Sequence, residues 1–189
     1  MAIHWYPGHM HKAIREMTKI LPDVDLVIEL LDARLPASSQ NPLIMALRGN
    51  KPSIKILSKS DLADPETTSL WQAHFEQDTS VKTLQTTLDL NGKPQKIVRL
   101  CQALVPSRVK ANLNMLVMVT GIPNVGKSTI INILADRIIA KTGNEPAVTK
   151  NQQRIRLPSG IMLSDTPGFL WPKIEKMTNK TAQMDMGNK

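Results

Sequence analysis

Residues 121–128 read Gly-Ile-Pro-Asn-Val-Gly-Lys-Ser, a combination of residue types that suits the binding of phosphate groups. The two glycines allow the backbone to wrap closely around phosphate oxygens, so that several N–H groups point inward. Lys127 would neutralise the β- and γ-phosphates of a nucleotide, and the Ser128 hydroxyl would ligate Mg²⁺. The stretch is therefore predicted to be a P-loop.

The sequence on either side of this loop agrees with that prediction. The apolar run Met115–Thr120 is typical of a buried strand, and Thr129–Ala140 has the period of a helix whose N-terminal dipole would face the same phosphates. The loop residues expected to contact the nucleotide are Asn124, Val125, Gly126, Lys127, Ser128 and Thr129.

A second phosphate motif, Asp-Thr-Pro-Gly, occupies 165–168. Asp165 ends a predicted strand 38 residues after Lys127, as expected of a carboxylate that holds Mg²⁺ directly or through water. Gly168 can offer its N–H to the γ-phosphate because it has no side chain in the way. Thr149, between the two motifs, is a candidate switch residue that closes over Mg²⁺; the alternative is an ordinary loop threonine.

Only 21 residues follow Gly168, too few for the remaining strands and the base-reading element, which are therefore expected upstream. Ser58-Lys59-Ser60-Asp61 follows the predicted strand Ser53–Leu57 and would emerge at the carboxyl edge of a sheet, where α/β folds bind ligands. Asp61 could accept two hydrogen bonds from guanine, a donor pair that adenine lacks. Lys59 could lay its aliphatic stem over the purine.

Asn-Lys-x-Asp is the usual base motif, and Ser58 replaces its asparagine here. We expect the shorter side chain to lose one contact, at a cost of up to roughly tenfold in affinity. The alternative for the whole segment is a charged turn. Thr86 and Thr87, after the next strand, are the predicted backbone clamp on the base.

The elements that must position these residues alternate between strands and helices. Three apolar runs, Asp25–Leu31, Ser53–Leu57 and Met115–Thr120, are predicted to be buried parallel strands, and Gln153–Leu157 and Ile161–Ser164 a hairpin. Further helices are predicted at Ala13–Leu21, Pro65–Gln77 and Gln95–Leu104. This alternation, with the P-loop, predicts a three-layer α/β P-loop NTPase fold with a mostly parallel sheet. The rotated order of the motifs predicts a circularly permuted G domain over 1–177, and the polar composition of 178–189 predicts a disordered tail.

Bulk properties narrow the class further. The single cysteine among 189 residues excludes an internal disulfide, and no apolar run is long enough to cross a bilayer. Without a secretory signal, the protein is expected to be soluble and cytoplasmic, and we expect a monomer that does not bind membranes. Residues 1–92 carry a net charge of −2 and residues 93–189 a net charge of +10. That asymmetry is typical either of contact with nucleic acid or of an ordinary basic surface.

Taken together, these stretches resemble the circularly permuted ribosome biogenesis GTPase A family (YlqF-like) over about residues 3–177. The resemblance lies in the two motifs already described and in several others, which are Trp5-Tyr6-Pro7-Gly8-His9-Met10, Asp32-Ala33-Arg34, Asn41-Pro42, Lys141-Thr142-Gly143-Asn144, Val148-Thr149-Lys150 and Phe169-Leu170-Trp171. It implies hydrolysis of GTP to GDP during late assembly of the large ribosomal subunit, with that subunit and its RNA as partners. Members of the family continue into a helical C-terminal domain, so this sequence would be truncated before it.

The resemblance also implies roles for His9 and Asn124. Phe169 stands where many GTPases have a glutamine that orients the attacking water, and it cannot hydrogen-bond water. By resemblance His9 is the catalytic candidate, the alternative being a surface or structural histidine. Asn124 would coordinate K⁺ beside the phosphates.

Two other functions remain open from the residues alone. A degenerate nucleotide- or RNA-binding module with little or no GTPase activity would share most of these motifs. An ATP-using P-loop protein would share the phosphate site, but Asp61 disfavours it.

Overall fold

The structure is a computed structural model that describes residues 8–87, 93–136 and 153–166, with only the backbone of residues 8–13, 93 and 153. Its centre is a six-stranded sheet in the order β3-β2-β1-β4-β6-β5. The strands are β1 (Leu26–Asp32), β2 (Ser53–Ser58), β3 (Val81–Gln85), β4 (Met115–Gly121), β5 (Gln153–Arg156) and β6 (Ile161–Asp165).

Five of these strands are parallel. β1 pairs with β2 on one side and with β4 on the other, β3 extends the sheet beyond β2, and β6 extends it beyond β4. Only β5 is antiparallel, joined to β6 by a tight turn in which Gly160 has φ 78°. The predicted strands are confirmed to within one residue at each end. The three long apolar runs form because strands buried on both faces need no polar alternation.

The helices are α1 (Gly8–Ile20), α2 (Pro36–Ser39), α3 (Pro42–Arg48), α4 (Pro65–Phe75), α5 (Lys93–Leu104), α6 (Pro106–Lys110) and α7 (Lys127–Ala135), with 3₁₀ turns at Leu21–Asp23 and Ser60–Leu62. The four predicted helices are present, and α2, α3 and α6 were not predicted. α7 was expected to reach Ala140 but ends at Ala135, where Asp136 adopts a left-handed conformation with φ 52°. Of the described helices, none is long and apolar enough to traverse a bilayer.

Helices cover both faces of the sheet, which confirms the three-layer prediction. Alternate residues of β1 (Leu26, Ile28 and Leu30) pack in one cluster with Ile97 of α5 and Ile131 of α7. Residues of the opposite parity face the second layer, where Val27 packs with Met17 of α1 and Leu31 with Phe75 of α4. The apolar area removed from water on both faces is the main stabilisation of this architecture.

An ion pair is buried inside the second layer. Glu29 of β1 and Lys55 of β2 face each other in register, and their side chains form a salt bridge. The backbone N–H of Asn41 donates to Glu29 Oε1 at 3.2 Å, and Lys55 Nζ lies 5.0 Å from the centre of the Phe75 ring. This pair therefore connects the two strands to the loop before α3 and to α4.

The order of the strands creates a crevice at the carboxyl edge of the sheet. The chain runs outward from β1 through β2 to β3, and then returns to β4 on the other side of β1. The loops after β1 and β4 consequently leave in opposite directions. In open α/β sheets, ligands bind in the crevice at such a switch point.

Candidate functional site

The loop that follows β4 has the conformation expected of a P-loop. β4 ends at Gly121, which has φ 148° and lies opposite Leu30 of β1. A Cβ atom on Gly121 would lie 2.6 Å from the Leu30 carbonyl oxygen, so β1 leaves no room for a side chain there. The loop then passes through Asn124, exposed and left-handed with φ 58°, and reaches Gly126 immediately before α7.

Lys127, the first residue of α7, is held against this loop. Its side-chain nitrogen donates to the carbonyl oxygens of Gly121 at 3.1 Å and Ile122 at 2.8 Å. Burial lowers the pKa of Lys127 to about 8, and the charge of nearby Asp165 opposes that shift. Among the described residues, the buried Lys127 ammonium donates to two neutral carbonyls. This arrangement favours an incoming anion, because the anion replaces weak partners with a charged one.

Asp165 reaches the same place from β6. It is the last residue of that strand, pairs in register with Val119 of β4, and is 1% exposed. Thr166, the next residue, donates from Oγ1 to the Val119 carbonyl at 2.7 Å.

The residues around Lys127 fit a magnesium ion. Ser128 is half-buried at the second position of α7, and its hydroxyl and the Asp165 carboxylate are hard oxygen donors. Within the described ranges, no three His, Cys, Asp or Glu side chains form a metal cage. Mg²⁺ bound through phosphates needs only one or two protein ligands, so this donor set is sufficient.

The loop predicted to read the base, residues 58–61 (the base loop), begins where β2 ends. Ser58 donates from Oγ to the Leu31 carbonyl of β1 at 2.9 Å, so its one hydroxyl proton is committed to the sheet. Lys59 follows with a left-handed backbone at φ 56°, and Asp61 lies exposed in the short 3₁₀ turn Ser60–Leu62.

The predicted clamp lies beside this loop. The Ser60 N–H donates to the Thr86 carbonyl at 3.2 Å, and the Thr86 N–H donates to the Leu57 carbonyl at 2.9 Å. Thr86 is buried, and its hydroxyl bonds the Thr87 carbonyl at 3.0 Å. The segment after β3 is thus joined directly to the base loop.

Sequence reasoning missed one cluster at this edge, the side chains of Asp32, Arg34 and Lys59. Asp32 ends β1 and accepts from Arg34 Nε at 2.9 Å, from Arg34 Nη2 at 2.8 Å and from Lys59 Nζ at 2.9 Å. The hydrogen bonds from Arg34, and after them the single one from Lys59, hold the pKa of Asp32 well below its usual range. The sequence signal for this cluster was the motif Asp32-Ala33-Arg34, which was recognised only as one of the motifs of the family resemblance.

The register of the sheet relates the two loops. Asp32 of β1 pairs with Ser58 of β2, and Leu30 of β1 pairs with Gly121 of β4. The base loop and the P-loop therefore leave the same edge of the sheet with one strand between them, about 10 Å apart at their roots. Thr149 and Gly168 lie outside the described residues. His9 falls in the first turn of α1, where side chains are not described.

Comparisons with known proteins agree with this arrangement. A family model described as "50S ribosome-binding GTPase" matches residues 116–188. Ribosome biogenesis GTPase A of Bacillus pumilus is 46% identical, over 93% of this chain and 64% of its own length. Mitochondrial ribosome-associated GTPase 1 of Mus musculus is 35% identical, over 92% of this chain and 57% of its own.

A solved structure, GDP-bound YlqF, superposes with a TM-score of 0.57 at 28% identity, covering 90% of this chain and 63% of that one. The chain spans a little under two thirds of the length of the Bacillus relatives that it matches. With these matches, and with the predicted phosphate loop after β4 and the predicted base loop after β2, the chain is a relative of the ribosome biogenesis GTPase A family and has a circularly permuted P-loop GTPase fold.

Proposed function

We propose that this chain binds GTP with Mg²⁺, hydrolyses it to GDP and phosphate, and acts in late assembly of the large ribosomal subunit. The observation that carries the proposal is the shared edge: the loop of Lys127 and the loop of Asp61 begin one strand apart on either side of β1. One nucleotide can bridge them, with its phosphates at the first loop and its base at the second. The names of the relatives support the reaction and the ribosomal role.

Phosphate binding rests on the P-loop backbone and Lys127. The Lys127 ammonium is bonded to two carbonyl oxygens of its own loop, and phosphate oxygens can replace these neutral acceptors. In the bound state, the N–H groups of Val125, Gly126, Ser128 and Thr129 would surround the phosphates, as the helix dipole favours. Gly168 would add its N–H at the γ-phosphate.

Two cations are part of the proposal. Ser128 and Asp165, with Thr149, would hold Mg²⁺, which neutralises phosphate charge during transfer. Asn124 would hold K⁺, since its side chain lies exposed at the outer turn of the loop. Exchanging KCl for NaCl should then slow turnover, and equal rates in both salts would remove Asn124 from that role.

Base selection would depend on Asp61, with Lys59 against the purine face and Thr86 and Thr87 at its edge. Ser58 gives this loop no side-chain amide, and its hydroxyl bonds β1. Guanine affinity should therefore be lower than for an asparagine-containing loop, and Ser58→Asn should raise it by up to roughly tenfold.

Hydrolysis requires a group that orients water, and we propose His9, because Phe169 cannot do so. His9→Ala should lower the turnover rate while GTP affinity holds. His74→Ala is the control, because His74 is exposed on α4, where its ring contacts those of Trp71 and Phe75. Equal losses in both variants, or no loss in His9→Ala, would assign the water-orienting role elsewhere.

The basic second half supports ribosomal RNA as the partner. The sequence has no acidic residue between Asp89 and Asp136. In this segment Lys96, Arg99 and Lys110 are exposed. Binding to large ribosomal subunits should weaken steeply with salt, since each phosphate contact releases counterions. A ribosomal role is also the basis for proposing a cytoplasmic location.

One alternative is favoured by a specific observation. The commitment of Ser58 to β1 is compatible with a degenerate nucleotide- or RNA-binding module that has little or no GTPase activity. Phosphate release from GTP, measured with and without large ribosomal subunits, separates the two functions. No release in either condition, with GDP still bound, would establish the alternative.

The first experiment is calorimetric titration of the purified chain with GDP, GTP and ATP. We expect GDP and GTP to bind and ATP to fail at millimolar concentration, because adenine leaves Asp61 unpaired. Equal affinity for ATP and GTP would overturn the base assignment, and no binding of any of the three would overturn the proposed function.

A further inference from the structure

The cluster of Asp32, Arg34 and Lys59 stands in the crevice between the two loops. Asp32 has the same parity in β1 as Ile28 and Leu30, so it emerges on the face of the sheet that α7 covers. It is also the residue of β1 in register with Ser58, directly before Lys59. A carboxylate at this point lies next to the base loop and can act on it.

Arg34 alone donates most of the hydrogen bonds that the Asp32 carboxylate accepts. The Arg34 guanidinium donates to both oxygens of Asp32, at 2.9 and 2.8 Å, and the Arg34 backbone N–H adds a third bond at 3.1 Å. The turn after β1 would be held by these local bonds without any other partner. The bond from Lys59 Nζ, which comes from 27 residues away, therefore has a different consequence: it fixes Lys59.

The side chain of Lys59 needs a partner to hold it in one conformation. Its side chain is 31% exposed, and a free lysine of that exposure samples many rotamers. Its backbone is left-handed, with φ 56°, a conformation that costs an ordinary residue about 1 kcal/mol or more. A lysine retained in such a conformation, with its ammonium anchored, has an aliphatic stem stretched from β2 toward β1.

We infer that Asp32 is a positioning residue for the nucleotide base: by holding the Lys59 ammonium, it sets the lysine stem as a preformed floor for the purine. This inference rests on the proposed function, because it assigns a role within the same site. Arg34 supports Asp32 and does not touch the base. Preorganisation of this kind raises affinity because the side chain loses no further freedom when the ligand binds.

The test measures the base separately from the phosphates. Kd values for GTP and for tripolyphosphate, both with Mg²⁺, are compared between the parent chain and Asp32→Asn. We expect GTP to bind about tenfold more weakly to the variant, the size of one charge-assisted hydrogen bond. Tripolyphosphate should bind both proteins equally, since it has no base to rest on Lys59.

Asp25→Asn is the matched control. Asp25 precedes β1 at the opposite edge of the sheet, and it too has an arginine partner, Arg108, and a backbone donor, the Leu116 N–H. The side chains of Asp25 and Asp32 are 14% and 11% exposed. Asp25→Asn therefore removes a similarly paired carboxylate at a place far from the site. This variant should bind GTP with the parental affinity.

Lys59→Met shows whether Asp32 acts through Lys59. The methionine has no ammonium for Asp32 to hold, so Lys59→Met, Asp32→Asn and the double variant should bind GTP with the same affinity. Losses that multiply to about a hundredfold in the double variant would mean independent roles and overturn the inference. So would an unchanged GTP affinity in Asp32→Asn, or an equal loss for tripolyphosphate.

Two results keep the inference distinct from the proposed function. Failure of the parent chain to bind GTP overturns the proposed function, whereas normal GTP binding by both the parent and Asp32→Asn overturns only the role of Asp32. If Asp32→Asn does not fold, Asp32→Glu replaces it, because it keeps the charge for Arg34 and moves the carboxylate by one methylene. Glutamate should also weaken GTP and leave tripolyphosphate unchanged, and parental affinity for GTP would overturn the inference.

Discussion

Replacing Gly121 with alanine should destabilise the protein strongly and abolish nucleotide binding. Gly121 joins β4 to the P-loop, and the β1 backbone passes directly beside it. The added Cβ atom would lie 2.6 Å from the Leu30 carbonyl oxygen and 3.0 Å from Val125 Cγ1. The first of these contacts is with main chain, so relieving it requires β1 and β4 to move apart or the P-loop to change course.

The magnitude has two parts. At φ 148° the backbone is in a region that is largely restricted to glycine, which costs about 1–3 kcal/mol for alanine. Overpacking against a backbone that cannot rotate away costs about 1–3 kcal/mol more. The sum, about 2–6 kcal/mol, is a large part of the ~5–15 kcal/mol that stabilises a typical domain.

Urea unfolding monitored by far-UV circular dichroism measures the free energy of unfolding. Calorimetric titration with GDP measures the affinity of the site. Gly160→Ala is the matched control. Gly160 also has positive φ, 78°, but a Cβ there would meet no atom within 4 Å, and the turn lies at the amino edge of the sheet. The control should lose about 1 kcal/mol of unfolding free energy and keep the parental affinity for GDP.

Two results would refute the reasoning. A Gly121→Ala protein within about 0.5 kcal/mol of the parent would show that the two strands move apart freely. A destabilised Gly121→Ala protein that still binds GDP with parental affinity would show that the P-loop conformation does not depend on the junction with β4.

Three further predictions concern other parts of the molecule. Asp61→Asn should weaken GDP about 10- to 100-fold in calorimetric titration, because the amide replaces a charged acceptor at the base; an unchanged Kd would remove Asp61 from the site. Burial raises the pKa of the Cys101 thiol to about 12, so iodoacetamide at pH 8 should label it only through unfolding, and GDP should slow labelling; a native rate equal to that of a free thiol would contradict this. Lys55→Met should cost about 3–5 kcal/mol of unfolding free energy by leaving Glu29 buried without its ion-pair partner, and Glu29→Met in the same chain should restore most of it; additive losses in urea unfolding would refute the pairing.

Much of the fold followed from local pattern. β1, β2 and β4 are mostly apolar, with Glu29 and Lys55 as the charged exceptions in β1 and β2, and strands of that kind occur where helices cover both faces of a parallel sheet. The hairpin of β5 and β6 was predictable from alternation around Pro158-Ser159-Gly160. The P-loop was predictable because its glycines and its lysine act through their own backbone and side chain, at fixed spacing.

The short helices could not be predicted in this way. α2, α3 and α6 have four to seven residues each, too few for a hydrophobic period to be recognised. Helices of this length are unstable alone and form because tertiary contacts hold them. Ile44 of α3, for example, is buried against Met17 and Val27, two residues that are distant from it in the sequence.

The sequence by itself determined which residues could bind phosphate and read a base, because those properties depend on residue type and on spacing within a few positions. It also determined that the two motifs occur in rotated order. Only the tertiary structure decided that a single strand, β1, separates the two loops, that the Ser58 hydroxyl bonds β1, and that Asp32 holds Lys59. These contacts join residues about 27 positions apart, and the register of β1 with its two neighbours creates them.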